Sequence, residues 1–478
     1  MSDTPHLPSS DLEAQTTDPP QDGQPAAASQ EEARRASHVV WVSGTEEPSW
    51  MADSTDEGAQ EILPDVADPA LDVQRGTQVA DDYVEDDTAD EDERQIINLG
   101  PQHPSTHGVL RLQLELEGET IRRVKPIIGY LHTGMEKTAE TLTFLQGATN
   151  VTRMDYLAPL HNELCYSLAV EQLLGVDIPP RASAIRILMT ELNRVSSHLL
   201  WLATQGMDIG AISMMLYGWR ERESVLSFFE SVTGLRMNHD YIRPGGVAAD
   251  LHDGWEHEVD SLLETLPAGI AEYEEILNEN PIFLDRTQGV GIITREECLA
   301  YGIGGPIARA TGMEWDLRKV FPYSGIDLYE FDVPTGTHGD VWDRYLVRLE
   351  EMRQSLRIVR QVLESMPAGD FRTDDRKVTP PPRKRIDESM EALIHHFKIF
   401  TEGFKVPAGE VWQSVESPRG ELGMYLVSDG GAKPWRLHVR APSFAAVQAL
   451  PVMLTDSLVA DMIATLASAD PVLGDVDR

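Results

Sequence analysis

The stretch 179–208, PPRASAIRILMTELNRVSSHLLWLATQGMD, indicates the fold class, because its apolar residues recur every three or four positions. These apolar positions are Ile185, Leu188, Leu192, Val195, Leu199 and Leu202. The charged residues Arg186, Glu191 and Arg194 lie off that line. We therefore predict a long amphipathic helix that begins at the proline pair.

Similar spacing on both sides of this segment indicates a bundle of helices. The additional predicted helices cover 134–146, 154–174, 210–233, 254–278, 341–366 and 389–401. Alternation of apolar and polar residues with a period of two, together with glycine-containing turns, indicates strands towards both ends of this region. The predicted strands cover 110–117, 120–128, 410–417, 421–428 and 435–439. The predicted fold class is therefore α+β, a mainly helical bundle flanked by small antiparallel sheets.

Composition divides the chain into four regions. Residues 1–95 hold 25 acidic and 4 basic residues, a composition that cannot bury enough apolar surface, so we predict an acidic disordered extension. An N-terminal antiparallel β region is predicted at 96–130. The helical bundle domain is predicted at 131–405 and contains a Gly- and Pro-rich, loop-rich insertion at 285–337. Residues 406–478 are expected to form a β meander and short helices.

The charge balance and the cysteine count exclude several classes of protein. The chain has 40 basic and 79 acidic side chains and a formal net charge of −39, so we expect no nucleic-acid partner. Its two cysteines, Cys165 and Cys298, are too few for a disulfide framework or an iron–sulfur cluster, and they fit a reducing compartment. The weakly charged stretch 195–219 is interrupted by Asp208 and two glycines, which favours buried helices of a soluble chain over a membrane span.

Two histidines four residues apart precede the first predicted pair of strands. His103 and His107 lie in the segment 100–108, where Pro104 and the flanking glycines indicate a loop. Histidines at this spacing on a helix could chelate zinc, but the loop and the lack of a third nearby ligand argue against a metal site. Two interpretations remain open: a turn whose histidines hydrogen-bond to backbone, or an imidazole held at the mouth of a cavity.

Three further features have both a structural and a functional interpretation. Asp208 is a carboxylate in a nearly uncharged stretch, so it must be paired, hydrogen-bonded or protonated, and it is suited to cap the next helix. Tyr156 lies at a predicted loop-to-helix junction, where a tyrosine usually packs in a core or an interface. The motif DPVLGDVDR at 470–478 is defined and contains a proline, which favours a C-terminus tucked into the fold.

Seven segments taken together resemble one family. They are 100–108, 129–137, 153–157, 241–246, 331–334, 425–430 and 474–478. In this combination and order they are similar to the D subunit, the quinone-site subunit, of the proton-pumping NADH–quinone oxidoreductase, respiratory complex I, over about residues 96–478. The resemblance implies a component of a proton-translocating oxidoreductase of the respiratory chain, without complete activity as an isolated chain.

That family is itself similar to the large subunit of nickel–iron hydrogenases, which binds its metals through two pairs of cysteines. In this sequence those four positions fall at Asp155, Ala158, Val472 and Asp475, and none is a cysteine. A thiolate-bound nickel site therefore cannot form. The resemblance implies that the former metal cavity serves as a pocket for a quinone headgroup, and that this chain binds no metal or cluster.

The resemblance also implies roles for particular residues. It places the quinone headgroup between His107 and Tyr156 with His103 beside it, and it pairs Asp208 with His107. Arg153 is implied to lie near the cluster of a partner subunit. A quinone takes up two electrons and two protons, and an imidazolium and a phenol can each donate a proton to one carbonyl. A carboxylate beside His107 is expected to raise the pKa of the imidazole.

The electron donors implied by the resemblance lie on partner subunits. The terminal [4Fe–4S] cluster lies on a neighbouring subunit, the C subunit of the complex is a further partner, and a membrane subunit provides the quinone channel. NADH binds on more distant subunits, and no Gly-x-Gly-x-x-Gly element opens a helix in this chain. The chain is then expected on the cytoplasmic side of the cell membrane, as a peripheral part of the complex.

Two positions depart from the pattern of many relatives. An arginine and a histidine implied to lie near the cluster are replaced here by Thr133 and Asn238, and His239 follows directly. With fewer cationic and titratable groups near it, the cluster is harder to reduce, so we expect it to have a low reduction potential. Such a cluster suits a low-potential quinone, and we expect menaquinone rather than ubiquinone. The alternative interpretation is a structural or assembly subunit of a related membrane-bound oxidoreductase, with a degenerate hydrogenase cavity and no chemistry.

Overall fold

The computed structural model describes residues 94–103 and 106–478. The predicted acidic extension lies outside the described residues, apart from its last two. The strands are β1 (Arg94–Leu99), β2 (Arg111–Glu117), β3 (Thr120–Ile127), β4 (Ile242–Arg243), β5 (Gly246–Val247), β6 (Gly409–Ser417), β7 (Gly420–Ser428) and β8 (Arg436–Arg440).

The helices fall mainly between the two groups of strands, and the short ones lie in the loop-rich stretch and at the C-terminus. They are α1 (Met135–Ala139), α2 (Phe144–Val151), α3 (Pro159–Leu174), α4 (Pro180–Asp208), α5 (Ser213–Thr233), α6 (Trp255–Leu277), α7 (Pro281–Thr287), α8 (Arg295–Tyr301), α9 (Gly305–Ala310), α10 (Leu317–Val320), α11 (Val341–Ser365), α12 (Arg383–Ile386), α13 (Met390–Thr401), α14 (Pro442–Gln448), α15 (Leu450–Leu454), α16 (Val459–Ala469) and α17 (Leu473–Asp477). Mainly helical structure with small antiparallel sheets agrees with the predicted α+β class.

The N-terminal sheet has the strand order β1-β2-β3, and both strand pairs are antiparallel. The leucines at alternate positions of β2 are buried, because alternate side chains of a strand point to one face. The predicted strands 110–117 and 120–128 are confirmed to within one residue. Strand β1 begins at Arg94, earlier than the predicted boundary at 96, because Arg94 pairs with Glu117 at the end of the ladder.

Helix α4 runs through the middle of the helical bundle and packs against α3, α5, α11 and α16. The predicted apolar line is buried along its whole length, from Ile185 to Leu202. This burial confirms the long helix that the stretch 179–208 predicted. The weakly charged stretch 195–219 is divided between α4 and α5 by a turn, and within the described part of the chain no helix is both long and apolar enough to cross a bilayer.

Three charged residues of α4, Arg186, Glu191 and Arg194, are buried as well, although an amphipathic helix in a small bundle would expose them. Arg186 donates to a carboxylate oxygen of Glu171 over 3.0 Å. Arg318 donates to Glu191 over 3.0 Å, and Arg194 lies 3.3 Å from the same carboxylate. Burial is tolerated because each charge has an opposite charge within hydrogen-bonding distance.

Two of the predicted helices around the site have different bounds. The predicted helix 134–146 is divided into α1 and α2, because Thr143 and Gln146 form a capping box that starts a new helix. The predicted helix 154–174 begins only at Pro159, the first residue of α3, and the residues before it form a loop. That loop contains Tyr156. The predicted loop-to-helix junction is therefore present, but the loop continues to residue 158 before the helix begins.

The remaining predicted elements agree more closely with the structure. Helix α5 begins three residues after the predicted start at 210, whereas α6, α11 and α13 agree with their predicted bounds to within one residue. The stretch 285–337 is mostly loop with the short helices α8, α9 and α10. Strands β6, β7 and β8 form the predicted antiparallel meander, each within one residue of its predicted bounds.

The C-terminal residues are tucked into the fold, as the sequence predicts. Asp470 to Asp477 are buried, and the carboxylate of Asp477 accepts hydrogen bonds from the backbone N–H groups of Gly129, over 2.8 Å, and Leu131, over 2.7 Å. The Nδ1 atom of His132 lies 2.6 Å from the carbonyl oxygen of Asp477. These bonds join the segment after β3 to the last helix.

Candidate functional site

A buried arginine holds three remote segments together. Arg419 lies in the turn between β6 and β7, and its guanidinium donates to Oδ2 of Asp155 over 2.8 Å and to Oγ of Ser197 over 3.1 Å. Its Nε also donates to the backbone carbonyl oxygen of Asp470 over 3.0 Å, and the guanidinium lies 3.3 Å from the side-chain carboxylate of Asp470. One cation therefore joins the loop before α3, the middle of α4 and the segment before α17.

Tyr156 is partly buried in the loop before α3 and packs against the last helix. A Cβ atom on Gly474 would lie 3.1 Å from Cε1 and 3.2 Å from Cδ1 of the tyrosine ring, so only glycine allows this approach. Burial raises the pKa of the Tyr156 phenol, the negative charge of Asp155 raises it further, and Arg419 opposes the rise. The phenol is therefore protonated at neutral pH and can donate a hydrogen bond.

His107 lies in a turn before β2 with a left-handed backbone conformation, φ 54°. Its side chain is accessible to solvent, but the protein atoms around the ring lower the pKa of the imidazole, and the charge of Arg419 lowers it further. The expectation that a carboxylate raises this pKa is wrong, because desolvation and a cation both favour the neutral form. His107 and Tyr156 have in common that Arg419 influences the pKa of each.

His103 and Arg153 lie shortly before His107 and Tyr156 in the sequence. The carbonyl oxygen of His103 accepts hydrogen bonds from the backbone N–H of Thr106 over 3.2 Å and from its hydroxyl over 3.0 Å. Hydrogen bonding of the two imidazole rings to backbone stays a prediction. Arg153 is exposed, and its guanidinium donates to the carbonyl oxygen of Thr149. Its place near a partner's cluster stays a prediction.

Asp208 is the last residue of α4, so the expectation that it caps the next helix is wrong. The chain makes a turn first, in which the backbone N–H of Ala211 donates to the carbonyl oxygen of Gly206 over 2.8 Å, and α5 begins only at Ser213. The Asp208 side chain is partly buried. Its pairing with His107 stays a prediction.

The segments 155–158 and 472–475, which are remote in sequence, approach each other beside Tyr156. Asp155 accepts hydrogen bonds from the backbone N–H groups of Leu157 and Ala158, each over 3.1 Å. Asp475 accepts from the backbone N–H of Ser443 over 3.1 Å. Burial and the negative charge of Asp155 raise the pKa of Asp475 to about 6. Two buried carboxylates from remote segments thus stand near each other.

Sequence reasoning missed Arg419 and Asp470 as members of the site. The signal available was the tight turn Ser417–Gly420 between two predicted strands, with an arginine in it. An arginine in a hairpin turn is ordinarily exposed, so this signal did not predict burial. Arg419 is instead 4% exposed, which is possible because two carboxylates surround it.

A separate cavity of about 360 Å³ opens beside the segment 129–137. Residues from α1, β8 and the C-terminus line it, among them Glu136, Arg436 and Arg478. Burial alone would raise the pKa of Glu136, but hydrogen bonds from the Val439 backbone and from Arg478 outweigh it, and the pKa is lowered. Neither His107 nor Tyr156 lines this cavity, which is therefore distinct from the region around Arg419.

The fold is mainly helical, and two segments remote in sequence meet at buried carboxylates beside Tyr156. The sequence family described as "Respiratory-chain NADH dehydrogenase, 49 Kd subunit" matches residues 208–478. The chain belongs to this family, that of the D subunit of NADH-quinone oxidoreductase, as the seven segments predicted. It is therefore a component of respiratory complex I, an oxidoreductase of the respiratory chain, and its partners are other subunits of that complex.

Similarity to individual relatives extends over most of the chain. It is 55% identical over 405 residues to the NADH-quinone oxidoreductase D-type subunit numbered 1 of Salinispora tropica, covering 81% of this chain and 92% of the relative. It is 54% identical over 393 residues to the D-type subunit numbered 2 of Roseiflexus sp., covering 82% and 94%. It is 52% identical over 430 residues to the D-type subunit of Mycobacteroides abscessus, covering 86% and 100%.

Proposed function

We propose that this subunit forms the quinone-headgroup pocket of the proton-translocating NADH–quinone oxidoreductase, in a fold like that of the nickel–iron hydrogenase large subunit. His107 and Tyr156 contact the two carbonyl oxygens of the headgroup, with His103 beside them. Electrons arrive from a [4Fe–4S] cluster on a neighbouring subunit, near Arg153. The observation that carries this proposal is that the loop of Tyr156 and the last helix converge on the buried Arg419, whose charge also acts on His107.

The chemistry requires two hydrogen-bond donors and two protons. The phenol of Tyr156 is neutral because burial raises its pKa, so it can donate to a carbonyl oxygen and give up a proton as the headgroup is reduced. Neutral His107 has one ring N–H with which to donate to the other carbonyl. Asp208, paired with His107, orients this ring, and the solvent-accessible imidazole passes the second proton from water to that carbonyl oxygen.

The positive charge of Arg419 supports the same chemistry. Reduction places negative charge on the quinone oxygens before protons arrive, and a fixed cation close to the two donors stabilises that charge. The hydrogen bonds of Arg419 to Asp155 and to the Asp470 backbone keep the guanidinium in place. Preorganisation of this kind requires no movement of the protein during the reaction.

The neighbours of this chain in the complex follow from the same proposal. They are the partner that holds the terminal [4Fe–4S] cluster, the C subunit, and the membrane subunit with the quinone channel, and the chain is peripheral on the cytoplasmic side of the cell membrane. The quinone is menaquinone, since Thr133 and Asn238 replace groups that would favour cluster reduction. His239 does not compensate, because burial lowers its pKa to about 4 and keeps it neutral. A strongly pH-dependent, high-potential terminal cluster in a redox titration of the complex contradicts this choice of quinone.

Substitution in the assembled complex tests the headgroup pocket. We expect His107→Ala and Tyr156→Phe each to abolish quinone reduction while NADH oxidation with a soluble electron acceptor continues. Tyr345→Phe is the matched control, because it removes one buried tyrosine hydroxyl, which donates to Asn278 over 2.9 Å outside the site. A structural or assembly subunit without chemistry would instead keep its quinone reductase rate in both site variants, and that result contradicts the proposal.

A further inference from the structure

The carboxyl group of Asp475 is a buried titratable group that the proposed reaction does not use. Asp475 is 1% exposed, and its hydrogen bonds come from Ser443, whose backbone N–H donates to Oδ2 over 3.1 Å and whose hydroxyl also interacts with the carboxyl group. Its Oδ1 atom has no hydrogen-bond partner among the described residues. A buried carboxylate oxygen without a donor is costly, and a proton on the carboxyl reduces that cost.

The charges around Asp475 also favour a bound proton. The buried carboxylates Asp155, Asp470 and Asp475 face the guanidinium of Arg419, each of them electrostatically coupled to it, and Arg348 is the second cation, acting on Asp470. The three carboxylates outnumber the one cation that all of them face, and Arg348 interacts with Glu351 as well as with Asp470. Any further negative charge nearby adds to this excess, and a proton at Asp475 would offset it.

Asp475 is joined to the proposed proton donor through its neighbour in the chain. The residue before it, Gly474, contacts the ring of Tyr156, and the residue before Tyr156 is Asp155, the carboxylate that raises the pKa of Asp475. A negative charge that forms at Tyr156 therefore forms next to a cluster that already has excess negative charge. Such a charge raises the proton affinity of a neighbouring carboxylate.

We propose that Asp475 is a positioning residue that binds a proton from solvent when negative charge forms at Tyr156 or at the reduced headgroup. In this step the O–H bond of Tyr156 breaks and its proton passes to the quinone oxygen, while the electrons come from the partner's iron–sulfur cluster. The proton at Asp475 compensates the phenolate charge and is released when the phenol regains a proton. The inference rests on the proposed function of Tyr156 as the donor.

The pKa of Asp475 lies in a range that suits reversible proton binding. Burial and Asp155 raise the pKa of Asp475 to about 6, close to the pH at which the complex works, so a modest change in local charge alters its protonation. Arg419 opposes the rise, so removal of this cation would increase the bound fraction.

Infrared difference spectroscopy of the assembled complex, oxidised against NADH-reduced with menaquinone bound, tests this inference. We expect the C=O band of a protonated carboxyl group to appear on reduction, to be lost in Asp475→Asn, and to shift in frequency but persist in Asp475→Glu. Asp477→Asn is the control, because this neighbour in α17 is a carboxylate that accepts backbone N–H bonds at both oxygens, and the band should persist in it.

Each outcome decides the inference. A band that is unchanged in Asp475→Asn overturns it, and if that variant does not assemble, a band of unchanged frequency in Asp475→Glu overturns it. Failure of the proposed function has a different signature, which is a full quinone reductase rate in Tyr156→Phe. A purely structural role of Asp475 predicts no carboxyl band that responds to reduction.

Discussion

Gly474→Ala is expected to disturb the site without changing any of its functional side chains. The added Cβ would lie 3.1 Å from Cε1 of Tyr156 and inside the contact distance of the Met154 carbonyl oxygen. To restore an ordinary contact distance, the loop before α3 or helix α17 must move by about 1 Å. Overpacking of this kind costs about 1–3 kcal/mol of folding stability.

The effect on activity should exceed the effect on stability. A shift of about 1 Å in a proton-donating group lowers the rate by about 100-fold, because the donor is no longer oriented towards its acceptor. The assay is the NADH–quinone reductase rate of the purified complex, with NADH oxidation by a soluble acceptor as the measure of intact electron transfer up to the cluster. We expect the first rate to fall and the second to remain.

Gly304→Ala is the matched control for this substitution. A Cβ there would have its nearest neighbours at 3.5 and 3.8 Å, both from Glu421, which is ordinary contact, and the backbone has an extended conformation that alanine accepts. Its reductase rate should stay within about twofold of the unmodified complex. If Gly474→Ala behaves like Gly304→Ala, the packing of Tyr156 against the last helix does not position the phenol and the reasoning fails.

Three further predictions concern stability, measured by urea unfolding of the purified chain. Arg419→Gln leaves Asp155 and Asp470 buried without their cation and should lower the free energy of unfolding by about 3–5 kcal/mol. A decrease below about 1 kcal/mol would show that the cluster relaxes freely. Leu192→Ala creates a cavity in the middle of the bundle and should cost about 2–5 kcal/mol, against little change for a surface substitution such as Leu216→Ala. Burial lowers the pKa of His198 to about 4, so protonation of this imidazole favours the unfolded chain. The free energy of unfolding should therefore fall by about 3 kcal/mol between about pH 6.5 and 4. His198→Gln should reduce this fall.

Much of the secondary structure follows from spacing in the sequence. The apolar line of α4 and the alternating leucines of β2 are local patterns, and the periods of 3.6 and two residues hold wherever one side of an element is buried. The starts of two helices differ from those that the spacing predicts. The capping box at Thr143 divided one predicted helix, and Pro159 delayed another, because capping depends on side-chain hydrogen bonds that spacing does not reveal.

The candidate site was predictable only in part. The resemblance supplied His107 and Tyr156 as residues of one pocket, but the expected direction of the His107 pKa was wrong, since it assumed a carboxylate and did not include Arg419. The cap expected from Asp208 was also wrong, because α4 continues through that residue before the chain turns. Both errors arise from neighbours that are distant in sequence.

By itself the sequence determined the family, the α+β class and the position of the long central helix, because these depend on residue order and on periods within one segment. Only the tertiary structure decided which charges are buried. Arg419 and Asp155 are 264 positions apart, and each would be costly to bury alone. Their pairing exists because the turn after β6, the loop before α3 and the C-terminal segment converge, and no local pattern contains that convergence.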